Sequence, residues 1–283
     1  MRFRIPLLMA TALLLPAGLL AADRPTDPPT ISEKGLHLVL NVPGRKLHVY
    51  EDGTRTRTYS VSVGLVGFET PQGEYQVSEV IWNPWWHPPA SEWARDRKPT
   101  PPGAPDNPMG RVKLLFGPLL YIHGTPEGEP MGRLSSRGCV RMRNEDVIEL
   151  AKLVHQYAVP GTAPAQLDKF VATPTLSRAF PLRPQVRFTA HYTVAAIERG
   201  FLIIYPDVYG LAQSEVEAHI ERVLVEHGID PADVYRSRLR PLLKKAGTMR
   251  LAIAVDSLLA PPPRVRPLGT PIPLGVPVPD GGR

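Results

Sequence analysis

The sequence predicts a mainly β domain with one late helix, followed by a small α+β domain. Between residues 36 and 82, apolar side chains recur at every second position, which is the period of strands that bury one face. Proline accounts for 34 of the 283 residues, against a usual share of roughly 5%. So much proline disfavours a helical bundle and favours short strands joined by rigid loops. The first clear helical pattern begins only at Asn144.

The alternating segments predict the strands of the first domain. Asp52-Gly53 suits a hairpin turn between the second and third strands, because both residue types tolerate a positive φ. A loop rich in proline and tryptophan follows the fourth strand and covers Asn83 to Pro108. We expect a largely antiparallel arrangement, with strands at residues 36–41, 46–49, 54–63, 74–82, 112–116 and 119–123.

The late helix has clear start and stop signals. Asn144 is a good N-cap, and Glu145 and Asp146 place negative charge in the first turn, where the helix dipole favours it. Apolar residues then follow helical spacing to about Tyr157, and Pro160 ends the helix. We expect this helix to complete a first domain at residues 34–170.

Residues 185–257 form the predicted second domain. Strand-like and helix-like patterns alternate there between glycine- and proline-marked turns, which indicates a small α+β fold. We expect strands at residues 186–197, 201–205 and 249–255, and helices at residues 214–228 and 231–246. The tail at residues 260–283 is rich in proline, so we expect an extended, disordered segment there.

Residues 1–22 carry the pattern of a Sec-type signal peptide. Arg2 and Arg4 precede an apolar stretch that is too short for a membrane span, and Ala21 and Ala22 close it. We therefore expect export and no stable membrane span after cleavage, with residues 23–33 as a linker. The formal charge of +6 is too diffuse to favour nucleic acid as a partner.

Cys139 is the one cysteine of the sequence, so it forms neither an intramolecular disulfide nor a cysteine-rich zinc site. A single thiol in an exported protein is a buried apolar residue, a reactive nucleophile or an accident. A nucleophilic cysteine needs a base within reach, backbone N–H groups for an oxyanion and surroundings that favour the thiolate. His123 is the candidate base, and Gly138 permits a sharp turn that exposes N–H groups. Arg137 and Arg141 add positive charge.

Two stretches around this cysteine resemble the signature of the L,D-transpeptidase catalytic domain family. The first is His123-Gly-Thr, and the second begins at Ser136, thirteen positions on, and ends in Gly138-Cys139-Val140-Arg141. Three stretches earlier in the sequence resemble the periplasmic branch of that family found in Gram-negative bacteria. They are Thr70-Pro71-Gln-Gly73, Asn83-Pro84-Trp85-Trp86 and Asn107-Pro108-Met-Gly110. The resemblance covers about residues 34–170.

The resemblance implies a β-sandwich-like domain in which Cys139 is the nucleophile and His123 is the general base, oriented by the carbonyl of Gly124. The thiolate attacks the carbonyl before the terminal D-Ala of a peptidoglycan tetrapeptide stem, and D-Ala leaves. An amine then takes the acyl group, which gives a 3–3 cross-link or attaches an envelope protein. No metal or other cofactor is required. The other implied site residues hold the oxyanion or contact the substrate; they are Ser136, Arg137, Gly138 and Arg141.

One residue departs from the family pattern, which has histidine where this chain has Arg137. The general base matches His123, so the chemistry is retained, and Arg137 becomes a candidate to hold the thiolate or a substrate carboxylate. Two alternatives stay open: a hydrolytic L,D-carboxypeptidase, and a non-catalytic peptidoglycan-binding envelope protein that keeps the fold. A papain-like peptidase is disfavoured because its cysteine precedes its histidine, whereas His123 precedes Cys139.

The remaining aromatic and imidazole residues have two interpretations each. The tryptophans either form a core or line the groove on a capping loop; they are Trp82, Trp85, Trp86 and Trp93. His87 and His155 fit no metal-binding spacing, alone or with His123 and Cys139.

Overall fold

The computed structural model describes residue 26 and residues 28–31, 34–246 and 249–259. The predicted signal peptide and the predicted proline-rich tail lie outside the described residues. Thr26, inside the predicted linker, is held against the first domain. Its hydroxyl donates to the Gln72 side chain at 2.7 Å, and its carbonyl accepts from the Tyr192 N–H at 3.3 Å.

The first domain is built from short strands and two α-helices. In chain order its elements are β1 (Leu36–Asn41), β2 (Lys46–Glu51), β3 (Thr54–Ser60), β4 (Val63–Gly64), β5 (Gly73–Trp82), β6 (Val112–Gly117), β7 (Leu120–His123), β8 (Leu134–Ser136), β9 (Val140–Arg141), α1 (Asn144–Ala158), α2 (Pro164–Ala172) and β10 (Arg178–His191). A 3-10 turn lies at Glu92–Ala94 within the long loop after β5. The mainly β class is confirmed.

Eight described strands form one mixed sheet, in the order β3-β2-β1-β10-β5-β6-β7-β9. β1 pairs with β10 in parallel, as β7 does with β9, and the other neighbours are antiparallel. The β2–β3 turn has the predicted positive φ, 47° at Asp52 and 79° at Gly53. α1 buries Val147, Leu150 and Val154 against the sheet core, and each such burial contributes about 1.5–3 kcal/mol.

Two features of this domain differ from the prediction. Residue 185 was the predicted start of the second domain, yet it lies inside β10, which pairs with both β1 and β5 in the main sheet. A boundary read from local pattern misses a strand that returns to the sheet from far along the chain. The second helix, α2, was not predicted, because the stretch after Pro160 showed only its prolines. Pro164 begins α2, and proline is favourable in the first turn, where its missing N–H needs no partner.

The C-terminal unit comprises residues 195–259, with its own small sheet and core. Its elements are β11 (Ala195–Glu198), β12 (Phe201–Ile204), α3 (Val216–Glu226), α4 (Arg236–Ala246), β13 (Leu251–Ala254) and α5 (Val255–Leu258). The sheet order is β11-β12-β13, and the core includes Leu202, Ile204 and Ile220. The helix predicted over residues 231–246 is divided into a 3-10 turn at Pro231–Asp233 and α4.

No helix among the described residues has the length and apolar character needed to cross a bilayer.

Candidate active site

The predicted nucleophile and base lie on neighbouring strands. β7 ends at His123 and pairs in parallel with β9, so that His123 lies opposite Arg141. Cys139 directly precedes β9, two positions before Arg141. Cys139 and His123 are therefore diagonal neighbours on one face of the strand pair, a spacing that side chains can bridge.

His123 is held in one tautomer. Its side chain is only 2% exposed, and Nδ1 lies 2.6 Å from the carbonyl oxygen of Gly124. Because a carbonyl only accepts, Nδ1 carries the proton and Nε2 keeps its lone pair. Burial, and then the positive charge of Arg141, lower the pKa of His123 to about 3. The ring is thus a neutral base at ordinary pH.

Gly124 has to be glycine for a steric reason. A Cβ at this position would overlap the side-chain oxygen of Asn144, which accepts from the Arg111 N–H at 2.9 Å. The close approach of these chains fixes the carbonyl that orients His123.

Cys139 is partly exposed and protonated at rest. Its Sγ donates to the carbonyl of Leu119 at 3.6 Å, and burial raises the pKa of the thiol. A hydrogen bond from the Tyr121 backbone and the charges of Arg141 and Lys113 act in the opposite direction. No hydrogen bond joins Sγ to His123 within the part of the chain described here.

The turn before Cys139 presents unused N–H groups. Gly138 has φ of +97°, a backbone conformation that favours glycine, and the Ser136 hydroxyl donates to the Cys139 carbonyl at 2.6 Å. Across the described residues, no hydrogen bond uses the N–H groups of Arg137, Gly138 or Cys139. Such a set of unpaired donors beside a nucleophile suits a developing oxyanion.

The side chain of Arg137 lies against two aromatic rings. Its guanidinium lies 4.1 Å from the ring centroid of Trp93 and 5.2 Å from that of Phe68. These are cation–π contacts, and they join the long loop after β5 to the loop after β4. The charges that lower the Cys139 pKa are those of Arg141 and Lys113. A role for Arg137 in holding the thiolate or a substrate carboxylate stays a prediction.

Two cations face the thiol. Lys113 on β6 pairs with His123 in the sheet register, and its Nζ lies 4.7 Å from the ring centroid of Tyr121. Nε of Arg141 is buried with no hydrogen-bond partner. In the described parts of the chain neither cation forms an ion pair. Sequence analysis missed Lys113, although the period-two pattern of β6 and β7 would have put it beside His123.

Only one of the four tryptophans touches the cysteine turn. Trp93 contacts Arg137, whereas Trp82 and Trp86 are buried and Trp85 stacks on His87 at 6.0 Å. Trp82 also donates to Nε2 of His155 at 2.9 Å, so His155 is a core residue. Among the described residues, no group of three or more His, Cys, Asp and Glu side chains is arranged to hold a metal ion.

Fold and site together define a mainly β domain that presents a partly exposed cysteine and a buried, neutral histidine on neighbouring strands. Residues 36–172 match the family model for the YkuD, L,D-transpeptidase catalytic domain. The match lies within the first domain.

Two curated relatives extend the comparison. The chain is 34% identical over 152 residues to "Probable L,D-transpeptidase ErfK/SrfK" of Salmonella typhimurium, covering 50% of this chain and 48% of the relative. It is 34% identical over 146 residues to "Probable L,D-transpeptidase YbiS" of Escherichia coli K12, covering 49% of this chain and 46% of the relative. The aligned part of the chain thus spans about half the length of these relatives.

A solved structure of L,D-transpeptidase 3 from Mycobacterium tuberculosis, with a faropenem-derived adduct, is similar at 13% identity and a TM-score of 0.36. The overlap covers 55% of this chain and 60% of that one.

Proposed function

We propose that this protein is a peptidoglycan L,D-transpeptidase of the bacterial periplasm that works through an acyl group on Cys139. The observation that carries the proposal is the β7–β9 pair. It sets a neutral His123 beside Cys139, at a turn whose N–H groups have no partner among the described residues. The match to the L,D-transpeptidase catalytic domain supports the proposed substrate class, a peptidoglycan tetrapeptide stem.

The first half of the reaction forms a thioester. Nε2 of His123 takes the thiol proton as Sγ bonds to the carbonyl carbon between the third residue and the terminal D-Ala. The N–H groups of Arg137, Gly138 and Cys139 stabilise the oxyanion, at about 3–4 kcal/mol for each effective donor. When the C–N bond breaks, the imidazolium returns the proton to the D-Ala amine.

The second half transfers the acyl group to an acceptor. An amine of a second stem, or of an envelope protein, attacks the thioester carbonyl while His123 takes its proton. The sulfur then leaves and recovers that proton, so the enzyme is regenerated with no net redox change. If water attacks instead, the product is a shortened stem, as in an L,D-carboxypeptidase.

The two unpaired cations fit an acidic donor. Lys113 and Arg141 favour the thiolate as it develops, and their charges can also attract the free carboxylates of a stem peptide.

The proposed function is tested with purified sacculi and with tetrapeptide muropeptides. The mature protein should release D-Ala and produce 3–3 cross-linked muropeptides, and a carbapenem, which resembles the acyl donor for this family, should add its mass at Cys139. Tripeptides without cross-links would instead identify a carboxypeptidase. Unchanged muropeptides and an unmodified Cys139 that still reacts with iodoacetamide would contradict the proposal and favour a binding protein.

Lys113→Met should raise the thiol pKa further, because a nearby cation favours the charged form of an acid. Less thiolate is then present at any pH below that pKa, so the rate profile for alkylation of Cys139 shifts to higher pH. Lys113→Arg should restore the profile. Lys152→Met is the matched control, since Lys152 pairs with Asp168 at 2.7 Å, away from the site. If Lys113→Met and the native chain had the same alkylation profile, Lys113 would have no effect on the thiol, which contradicts this role.

A further inference from the structure

The segment after β12 packs on the first domain instead of on its own unit. Val208, Tyr209 and Leu211 lie against the core of the first domain. We call residues 207–212 the strap. The Asp207 carboxylate accepts from the N–H groups of Leu211 and Ala212 at 3.0 and 2.9 Å. These internal bonds give the strap a defined shape.

Tyr192 ties the strap to the end of the main sheet. Its hydroxyl donates to Asp207 at 2.6 Å and accepts from the Tyr209 N–H at 2.7 Å. The two tyrosine rings lie 5.7 Å apart. These hydrogen bonds fix the backbone on either side of Tyr209, so its side chain is also held in place.

The hydroxyl of Tyr209 forms hydrogen bonds with both ends of the 64–70 loop. It donates to the carbonyl of Gly64 at 2.8 Å and accepts from the N–H of Thr70 at 3.3 Å. The Gly64 N–H in turn donates to the Thr70 hydroxyl at 2.9 Å. The tip of this loop is apolar and open to solvent, with Val66 67% and Phe68 50% exposed. Packing at the tip therefore holds the loop weakly, and the bonds at its base matter more.

The 64–70 loop runs along the cysteine turn. β4 pairs with β8, where Gly64 lies opposite Ser136, and the Leu65 N–H donates to the Ser136 carbonyl at 2.9 Å. Ser136 closes the turn onto Cys139. Near the tip, the ring of Phe68 lies under the guanidinium of Arg137. The loop thus contacts two neighbouring residues of the turn, Ser136 through its carbonyl and Arg137 through its guanidinium.

We infer that Tyr209 is a positioning residue through which the C-terminal unit holds the 64–70 loop, and through that loop the turn at residues 136–139. Its consequence for catalysis rests on the proposed function, since the N–H groups of that turn are the donors for the oxyanion. The C-terminal unit is on this account a structural part of the catalytic site.

The structural part of the inference is tested by hydrogen exchange on Tyr209→Phe in the full chain. The variant keeps the ring and loses both hydrogen bonds, each worth about 0.5–1.5 kcal/mol net. Exchange of the hydrogen-bonded amides of Gly64, Leu65 and Thr70 should become about tenfold faster. Tyr205→Phe is the matched control, because Tyr205 is also buried beside the strap and its hydroxyl makes no hydrogen bond to the 64–70 loop. Equal exchange in Tyr209→Phe and the native chain would overturn the inference.

The catalytic part is tested by two reactions of the same thiol. Acylation by a carbapenem needs the oxyanion donors, so it should slow about tenfold in Tyr209→Phe. Alkylation by iodoacetamide needs only the thiolate and should keep its rate. Equal slowing of both, or of neither, would contradict the positioning role. If the native chain itself is not acylated, the proposed function fails, while faster exchange in the variant would still support the contact.

Discussion

Replacing Cys139 by alanine should abolish the release of D-Ala from a tetrapeptide stem, with a loss of at least about 10³-fold. Without the sulfur no thioester forms, and the remaining N–H groups and cations have no nucleophile to assist. The measurement is release of D-Ala from tetrapeptide muropeptides, with carbapenem labelling followed by mass spectrometry in parallel. Both signals should vanish together.

The chain makes this test unambiguous, because Cys139 is its one cysteine. The side chain is partly exposed, so the thermal unfolding temperature of Cys139→Ala should stay close to the native value. Ser78→Ala is a suitable control on the same sheet, since the Ser78 hydroxyl only meets the Leu115 carbonyl at 3.5 Å. Turnover by Cys139→Ala at the native rate would exclude a covalent mechanism through this residue.

Replacing His123 by alanine should lower turnover by about 10²–10⁴-fold, the usual contribution of a positioned general base. The thiol is protonated at rest, so without Nε2 nothing accepts its proton as the C–S bond forms. Alkylation of Cys139 at high pH should persist, because solvent can then remove the proton. The test compares acylation with alkylation in one preparation. Loss of both reactions, or retention of both, would assign His123 a structural role.

The native pH profile provides a second readout for the same histidine. Its pKa is lowered to about 3, chiefly by burial, so the base form is present throughout the range above that value. Acylation should therefore fall only as the pH drops towards about 3, not near the ordinary histidine value of about 6.5. An acid limb centred near 6.5 would indicate that the imidazole is solvated in solution.

The periodic pattern of the sequence specified most of the local structure. The period of the strands and the turn at Asp52 depend on neighbours within a few residues. Asn144 was expected as the N-cap of α1, but it is the first helical residue, and its side chain accepts from the Arg111 N–H, 33 positions away. The order of His123 and Cys139, and the signature around them, predicted the proposed reacting pair, because the chemistry needs those residue types in a short span.

The tertiary structure decided which distant residues and strands contact one another. Lys113 illustrates the difference, because the sequence pattern drew no attention to it, yet its charge lowers the pKa of Cys139. The contact of Arg137 with Trp93 is likewise visible only in the fold. β10 entered the main sheet from beyond the predicted boundary, and Tyr209 reached a loop 139 residues away. A sequence states the period of each segment by itself, since that period comes from local backbone geometry. The pairing of distant segments depends on the burial and hydrogen bonding of the whole fold. It can therefore be seen only in the folded structure.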